Sequence, residues 1–310
     1  MKRLAPLVIA VIFGIVSASS AFGLQLPGPL VSTDWLQSHL ADKKLVVIDL
    51  RSETDQSAYE KGHIPGARFL AWEDVRAKAV NQEGANLDYA VPSSAELEKR
   101  MQKLGVQKDS SVVIVSTWEN PANAAMATRL YWTLKYYGDS AVAVLDGGTA
   151  RWIAEKLKTE AGSATPALGN FRVQGKDESI RITAPAVLKA VEDKNAIIVD
   201  GRTPDFFRGE KKKGYVATSG HIPKAVNIPM PELLDPATQR LKSASSLKEI
   251  FLSRGITPDK PVIVYCDSGH LSTLVWFALK EVCGYPDVRQ FDSSLHEWTK
   301  NPACPMVLGD

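Results

Sequence analysis

Cys266 closes an apolar run, Pro261-Val-Ile-Val-Tyr-Cys266, and is followed by Asp267-Ser268-Gly269-His270-Leu271-Ser272. Beyond Ser272, apolar residues take up helical spacing as far as Lys280. The pattern predicts a buried parallel strand, a tight loop and a helix start. A cysteine there sits where main-chain N–H groups converge. Those groups and the helix dipole favour the thiolate and lower the thiol pKa. The same amides can hold a negatively charged sulfur once it has accepted another atom. The expectation is a thiol held, ionised and exposed. A packed core cysteine is the competing reading, because free cysteine is often buried. His270 lies four residues after Cys266. It is expected to lower the thiol pKa as imidazolium, to bind a donor, or to face solvent.

The elements that must carry this loop occur twice. Leu45-Val-Val-Ile-Asp49-Leu-Arg51 and Ala196-Ile-Ile-Val-Asp200-Gly-Arg202 are short strands ending in Asp-x-Arg. Gly62-His63-Ile64-Pro65-Gly66-Ala67 matches Gly220-His221-Ile222-Pro223-Lys224-Ala225. Val113-Ile-Val-Ser-Thr117 matches Val262-Ile-Val-Tyr-Cys266, and Trp152 matches Trp298. The separations are 151 for the Asp pair, 158 for the Gly-His pair and 149 for the strand ends. A near-constant offset across these markers means two copies of one unit. Helices are expected at 94–104 and 123–137, and at 183–191 and 246–254. Strands alternating with helices predict an α/β fold. Each copy should form a mostly parallel sheet with helices on both faces. Ligands of such sheets lie at the carboxyl ends of strands, where Cys266 falls. The first copy has Thr117-Trp118-Glu119-Asn120-Pro121 there and no thiol. Residues 71–92 read as a polar insertion.

The remaining bounds come from composition. The 310 residues carry 45% hydrophobic and 23% charged residues, as an ordinary globular protein does. A formal net charge of +2 gives no argument for nucleic acid or an anionic membrane. Met1-Lys2-Arg3, the mostly apolar stretch to Ala18 and the small residues before Gly23 form a secretory signal pattern. Residues 1–23 are therefore expected to be removed. The mature protein is expected in a bacterial periplasm, without stable membrane insertion. The expected domains are 28–158 and 179–305, joined by an Ala/Gly/Ser/Thr-rich linker at 159–178. Three cysteines make no disulfide framework. Cys283 and Cys304 either pair or stay as a core and a tail residue. The sequence does not give an oligomeric state.

These residues resemble the rhodanese family of sulfurtransferases in its tandem form. The resemblance rests on Asp200-Gly-Arg202, Gly220-His-Ile-Pro-Lys-Ala225, the strand-Cys266-loop-helix and Phe291-Asp-Ser-Ser-Leu-His-Glu-Trp298. It runs from about residue 30 to 300. It implies two tandem rhodanese-like domains, the second catalytic through a persulfide on Cys266. Sulfur would pass from thiosulfate or 3-mercaptopyruvate to a thiol, cyanide or protein acceptor, with no metal or organic cofactor. The substrate-binding residues it implies are Asp267, Ser268, Gly269, His270, Leu271 and Ser272, with Arg208 as a clamp for the donor carboxylate. Lys212 or Lys213 would stand in for a second clamp. Thiosulfate-using members resemble Cys-Arg-Lys-Gly and mercaptopyruvate-using members Cys-Gly-Ser-Gly; Cys266-Asp267-Ser268-Gly269 is neither. Asp267 is expected to repel a dianion and raise the thiol pKa. Asp200 with Arg202, and Asp49 with Arg51, are expected as structural ion pairs. His63 and His221 are expected to bond to backbone. The first domain is expected to wall the Cys266 pocket. A phosphatase of the Cys-x5-Arg type is disfavoured by Ser272. A non-turnover persulfide carrier or redox-sensing module is the alternative.

Overall fold

The computed structural model describes residues 24–81, 83–163 and 165–310. The expected signal segment 1–23 lies outside them. The first half contains β1 (Leu30–Val31), α1 (Thr33–His39), β2 (Leu45–Arg51), α2 (Gln56–Lys61) and β3 (Arg68–Ala71). Then follow β4 (Ala77–Val80), β5 (Asn86–Ala90), α3 (Ser94–Lys103), β6 (Ser111–Val115), α4 (Pro121–Tyr136), β7 (Val142–Leu145) and α5 (Gly148–Ala154). The second half contains β8 (Arg181–Ile182), α6 (Ala184–Asp193), β9 (Ile197–Asp200), α7 (Pro204–Phe207) and β10 (Val226–Asn227). It ends with α8 (Ala244–Ser253), β11 (Val262–Tyr265), α9 (Ser272–Phe277), β12 (Val288–Phe291) and α10 (Ser294–Trp298).

The two main sheets have one topology. The first runs β1-β7-β6-β2-β3 and the second β8-β12-β11-β9-β10, with every pair parallel. Alternation along the strands shows that both faces are covered. In β11, Val262 and Val264 enter one core while Ile263 and Tyr265 enter another. In β6, Val112 and Ile114 part from Val113 and Val115 in the same way. Strands buried on both faces read as continuous apolar runs, which is why the sequence shows them as runs.

One of these cores is shared by the two halves. The helix α4, opened by Asn120 as its cap and by Pro121, is apolar nearly all round because it lies between the halves. It meets α9, with Thr128 Oγ1 3.0 Å from Thr273 Oγ1 and the Tyr131 ring 4.9 Å from the Phe277 ring. The polar insertion is an antiparallel ribbon, β4 against β5, laid on the second half. Val91 N–H donates to Asp292 Oδ2 at 2.9 Å and Asp88 N–H to His296 Nε2 at 3.2 Å. The linker is tied down on the first half, through Gly169 N–H to Gln102 O at 2.8 Å and Asp177 N–H to Tyr136 O at 2.7 Å.

The turn histidines behave as expected. His63 Nδ1 bonds Tyr59 O and His221 Nδ1 bonds Phe207 O, both at 2.9 Å. Gly220, at φ +103°, admits no side chain, because a Cβ would stand 2.0 Å from Val307 O. Trp152 and Trp298 are packing residues, 1% and 0% exposed. The helix expected to reach Lys280 is α-helical only to Phe277. Ala278–Val282 is a π-helical turn, and Cys283 N–H reaches back to Ala278 O at 2.9 Å. All three cysteines are free, and Cys283 and Cys304 belong to different cores.

Candidate active site

The chain leaves β11 at Tyr265 and turns at once into the Cys266 loop, which is stitched to α10. Cys266 N–H donates to Ser294 Oγ at 3.1 Å, and Cys266 O accepts from Leu295 N–H at 3.2 Å. Asp267 O accepts from His296 N–H at 2.8 Å. Gly269 makes the bend at φ +69°, and a Cβ there would stand 1.6 Å from Asp292 O. Only glycine fits so close a backbone approach in the left-handed region. Among the described residues, nothing accepts from the N–H groups of Asp267 through Ser272. Buried backbone donors are nearly always paired, so an unpaired run is a ready-made anion cradle.

The thiol lies inside this loop. Ser272 Oγ–H donates to Cys266 Sγ at 3.4 Å, and Gln290 Nε2 donates to Ser272 Oγ at 2.7 Å. This relay directs the Ser272 hydrogen at sulfur. The expectation of an exposed thiol is corrected: Cys266 is 1% exposed. Its surroundings are nevertheless polar, because Asp267, Ser268, Ser272 and Ser294 are themselves buried around the loop. Ser268 hydrogen-bonds the Tyr215 phenol, whose pKa rises through burial despite that bond.

Asp267 does not stand free beside the thiol. Its Oδ1 takes the Arg202 Nη1 at 3.3 Å, while Arg202 Nη2 holds Asp200 Oδ2 at 2.6 Å and Gly220 O at 2.7 Å. Burial raises the Asp267 pKa, Arg202 opposes this, and Asp200 adds to it. A carboxylate partnered by a guanidinium repels an incoming anion less than a bare one. The Asp49–Arg51 pair repeats the arrangement at 2.7 Å in the first half.

His270 fits neither the imidazolium nor the solvent-facing reading. Its Nε2 bonds Ala122 O at 3.0 Å, and its ring lies on Trp72 at 4.3 Å. Burial, with the Arg76 guanidinium next, pushes its pKa down to about 3. It is a neutral wedge between the loop and the first domain. Leu271 packs against the shared core just before α9. Arg208, expected as a clamp, is bound instead to Glu210 at 2.6 Å, and its backbone O to Gly309 N–H at 3.1 Å.

The first domain does wall the site. Arg129, fully buried on α4, donates through Nη1 to Gly269 O at 2.9 Å and pairs through Nη2 with Asp292 Oδ1 at 2.5 Å. Sequence reasoning missed Arg129. Its signal was a charged residue in an otherwise apolar helix, Ala124-Ala-Met-Ala-Thr-Arg129-Leu-Tyr-Trp. The matching loop of the first half is filled by its own Trp118, at φ +54° and 1% exposed. Gly148 must be glycine there, since a Cβ would stand 2.5 Å from that indole. Among the described residues, no group of His, Cys, Asp and Glu is placed to hold a metal ion.

The family described as Rhodanese-like domain matches this chain twice, over residues 32–155 and 183–301. The chain belongs to the rhodanese family. It is similar to the sulfur carrier protein TtuD of Thermus thermophilus, 35% identical over 93% of this chain and 99% of that one. It is similar to the 3-mercaptopyruvate sulfurtransferase of Escherichia coli, 31% identical over 89% and 96%. The crystal structure of SseA from Escherichia coli, a 3-mercaptopyruvate sulfotransferase, superposes with a TM-score of 0.74 at 30% identity, covering 86% of this chain and 98% of that one. Both rhodanese domains are therefore present, and only the second carries a cysteine on its loop.

Proposed function

We propose that this rhodanese is a sulfurtransferase moving sulfane sulfur from a small donor to a thiophilic acceptor through a Cys266 persulfide. The donor is thiosulfate or 3-mercaptopyruvate, the latter being what the Escherichia coli relative's name states for that protein. The observation carrying this reading is a free Cys266 inside a loop whose N–H groups, Asp267 through Ser272, have no acceptor among the described residues. The Cys266 thiolate attacks the outer sulfur of thiosulfate, the S–S bond of the donor breaks, and sulfite leaves with the bonding pair. With 3-mercaptopyruvate the C–S bond breaks and pyruvate leaves after taking a proton. In both cases Cys266–S–S⁻ remains, and its terminal charge meets the loop amides. The Ser272 hydroxyl, already directed at sulfur, adds a donor. Cyanide or a thiol then attacks the outer sulfur and restores the thiolate. No step asks a cofactor for electrons.

Loading the protein with thiosulfate or 3-mercaptopyruvate, removing the donor and adding cyanide tests this directly. Stoichiometric thiocyanate from wild type and none from Cys266→Ser is the expected result. Equal thiocyanate from both proteins overturns the reading. A second reading, a carrier that hands its sulfur to a protein only, is favoured by the Thermus relative named as a sulfur carrier. It predicts loading without release to cyanide. We also propose that residues 1–23 direct export to a bacterial periplasm, from their basic start, apolar run and small residues before Gly23. The mass of the protein purified from its native cells, with or without that segment, decides it.

A further inference from the structure

Arg76 leads out of the short helical turn Trp72–Val75 in the first domain. Its guanidinium lies over the Trp72 ring at 4.5 Å and the Tyr89 ring at 5.1 Å. Each of those rings touches a residue that borders the Cys266 loop. Trp72 meets His270 at 4.3 Å and Tyr89 meets Tyr215 at 4.7 Å, both as tilted ring pairs, and the Tyr215 phenol bonds Ser268. The cation thus stands on the first-domain wall of the catalytic site. Among the described residues it makes no ion pair, and its buried Nε has no hydrogen-bond partner. The carboxylate of Glu73, which acts on Arg76 electrostatically, is taken by Glu53 N–H at 2.9 Å. Burial and the neighbouring Arg129 push the Arg76 pKa down, and Tyr89 and Glu73 only partly oppose this.

A guanidinium over aromatic faces and without an ion-pair partner can still grip an oxyanion with two N–H groups.

We propose that Arg76 of the first domain binds the oxyanion end of the sulfur donor, a sulfonate or a carboxylate. This rests on the sulfurtransferase reading of Cys266 and names a residue that selects its donor. It assigns the anion clamp to the domain that has no thiol, and takes that role away from Arg208. Arg76 takes no part in bond making.

Three measurements on full-length protein test it. First, with thiosulfate and with 3-mercaptopyruvate, Arg76→Gln should raise KM about tenfold or more and leave kcat within a few-fold, as loss of a charge-assisted grip does. Arg76→Lys should recover part of the loss. Second, an alkyl hydropersulfide bearing neither a sulfonate nor a carboxylate, which loads Cys266 by releasing its own thiol, should lose far less in Arg76→Gln than the two oxyanion donors do. Third, the ratio of Cys266 alkylation rates by iodoacetate and by iodoacetamide should fall in Arg76→Gln. This ratio reads anion recognition even if the protein transfers no sulfur, so the two readings fail separately. An unchanged KM with an unchanged ratio overturns the proposal. So does an equal loss with the hydropersulfide, or a KM effect on Arg208→Gln in place of Arg76→Gln.

Discussion

Arg129→Leu removes a buried cation that joins the first domain to the catalytic loop. Both charges of its pair with Asp292 are buried, with side chains 0% and 2% exposed, so solvent screening does not weaken them. Removing one partner of a buried pair costs about 3–5 kcal/mol, because the other charge is left without compensation. Losing the donor to Gly269 O adds about 1 kcal/mol. Arg181, whose Nε lies 3.8 Å from Asp292 Oδ2, offsets part of this. The expected net loss is therefore about 3 kcal/mol. For a chain of this size it lowers Tm by about 6–12 °C. Urea unfolding followed by tryptophan fluorescence measures the free energy. The double variant Arg129→Leu/Asp292→Asn should cost clearly less than the two single changes added together. A loss under about 1 kcal/mol, or strict additivity, would refute the claim that this pair joins the domains.

Two further outcomes follow from the loop. Gly269→Ala forces a Cβ against Asp292 O and a left-handed backbone on alanine. It should abolish persulfide formation, measured by intact mass, while far-UV circular dichroism stays native; normal loading would contradict the tight approach. His270 titrates near 3 when folded against 6.5 when free, so the unfolded chain takes up its proton first as pH falls. Its contribution to stability is whole above pH 6.5 and is lost progressively below it, towards pH 3. Tm should therefore fall less steeply between pH 6.5 and 4 in His270→Phe than in wild type, and parallel curves would show that His270 is not buried neutral.

The repeat and the loop were legible because each marker is local. Asp-x-Arg, Gly-His-Ile-Pro and strand-Cys-loop are short patterns whose geometry is set within a few residues. What could not be read there depended on the other half of the chain. The burial of Cys266, the neutral state of His270 and the turning of Asp267 towards Arg202 all come from groups distant in sequence. Residues 71–92 are polar for the same reason. They form a ribbon that meets Asp292, His296 and Glu297, and a polar face matched to polar partners carries no periodic signal. Arg129 shows the same limit: within α4 it looks out of place, and only the Gly269 carbonyl and Asp292 explain it.

The central claim is that one sulfur atom is carried covalently on Cys266. Intact-mass analysis after incubation with thiosulfate or 3-mercaptopyruvate, with peptide mapping, measures this most directly. The account predicts a gain of one sulfur on the peptide containing Cys266, reversed by cyanide and absent in Cys266→Ser. A gain that survives in Cys266→Ser, or that maps to Cys283 or Cys304, would contradict it.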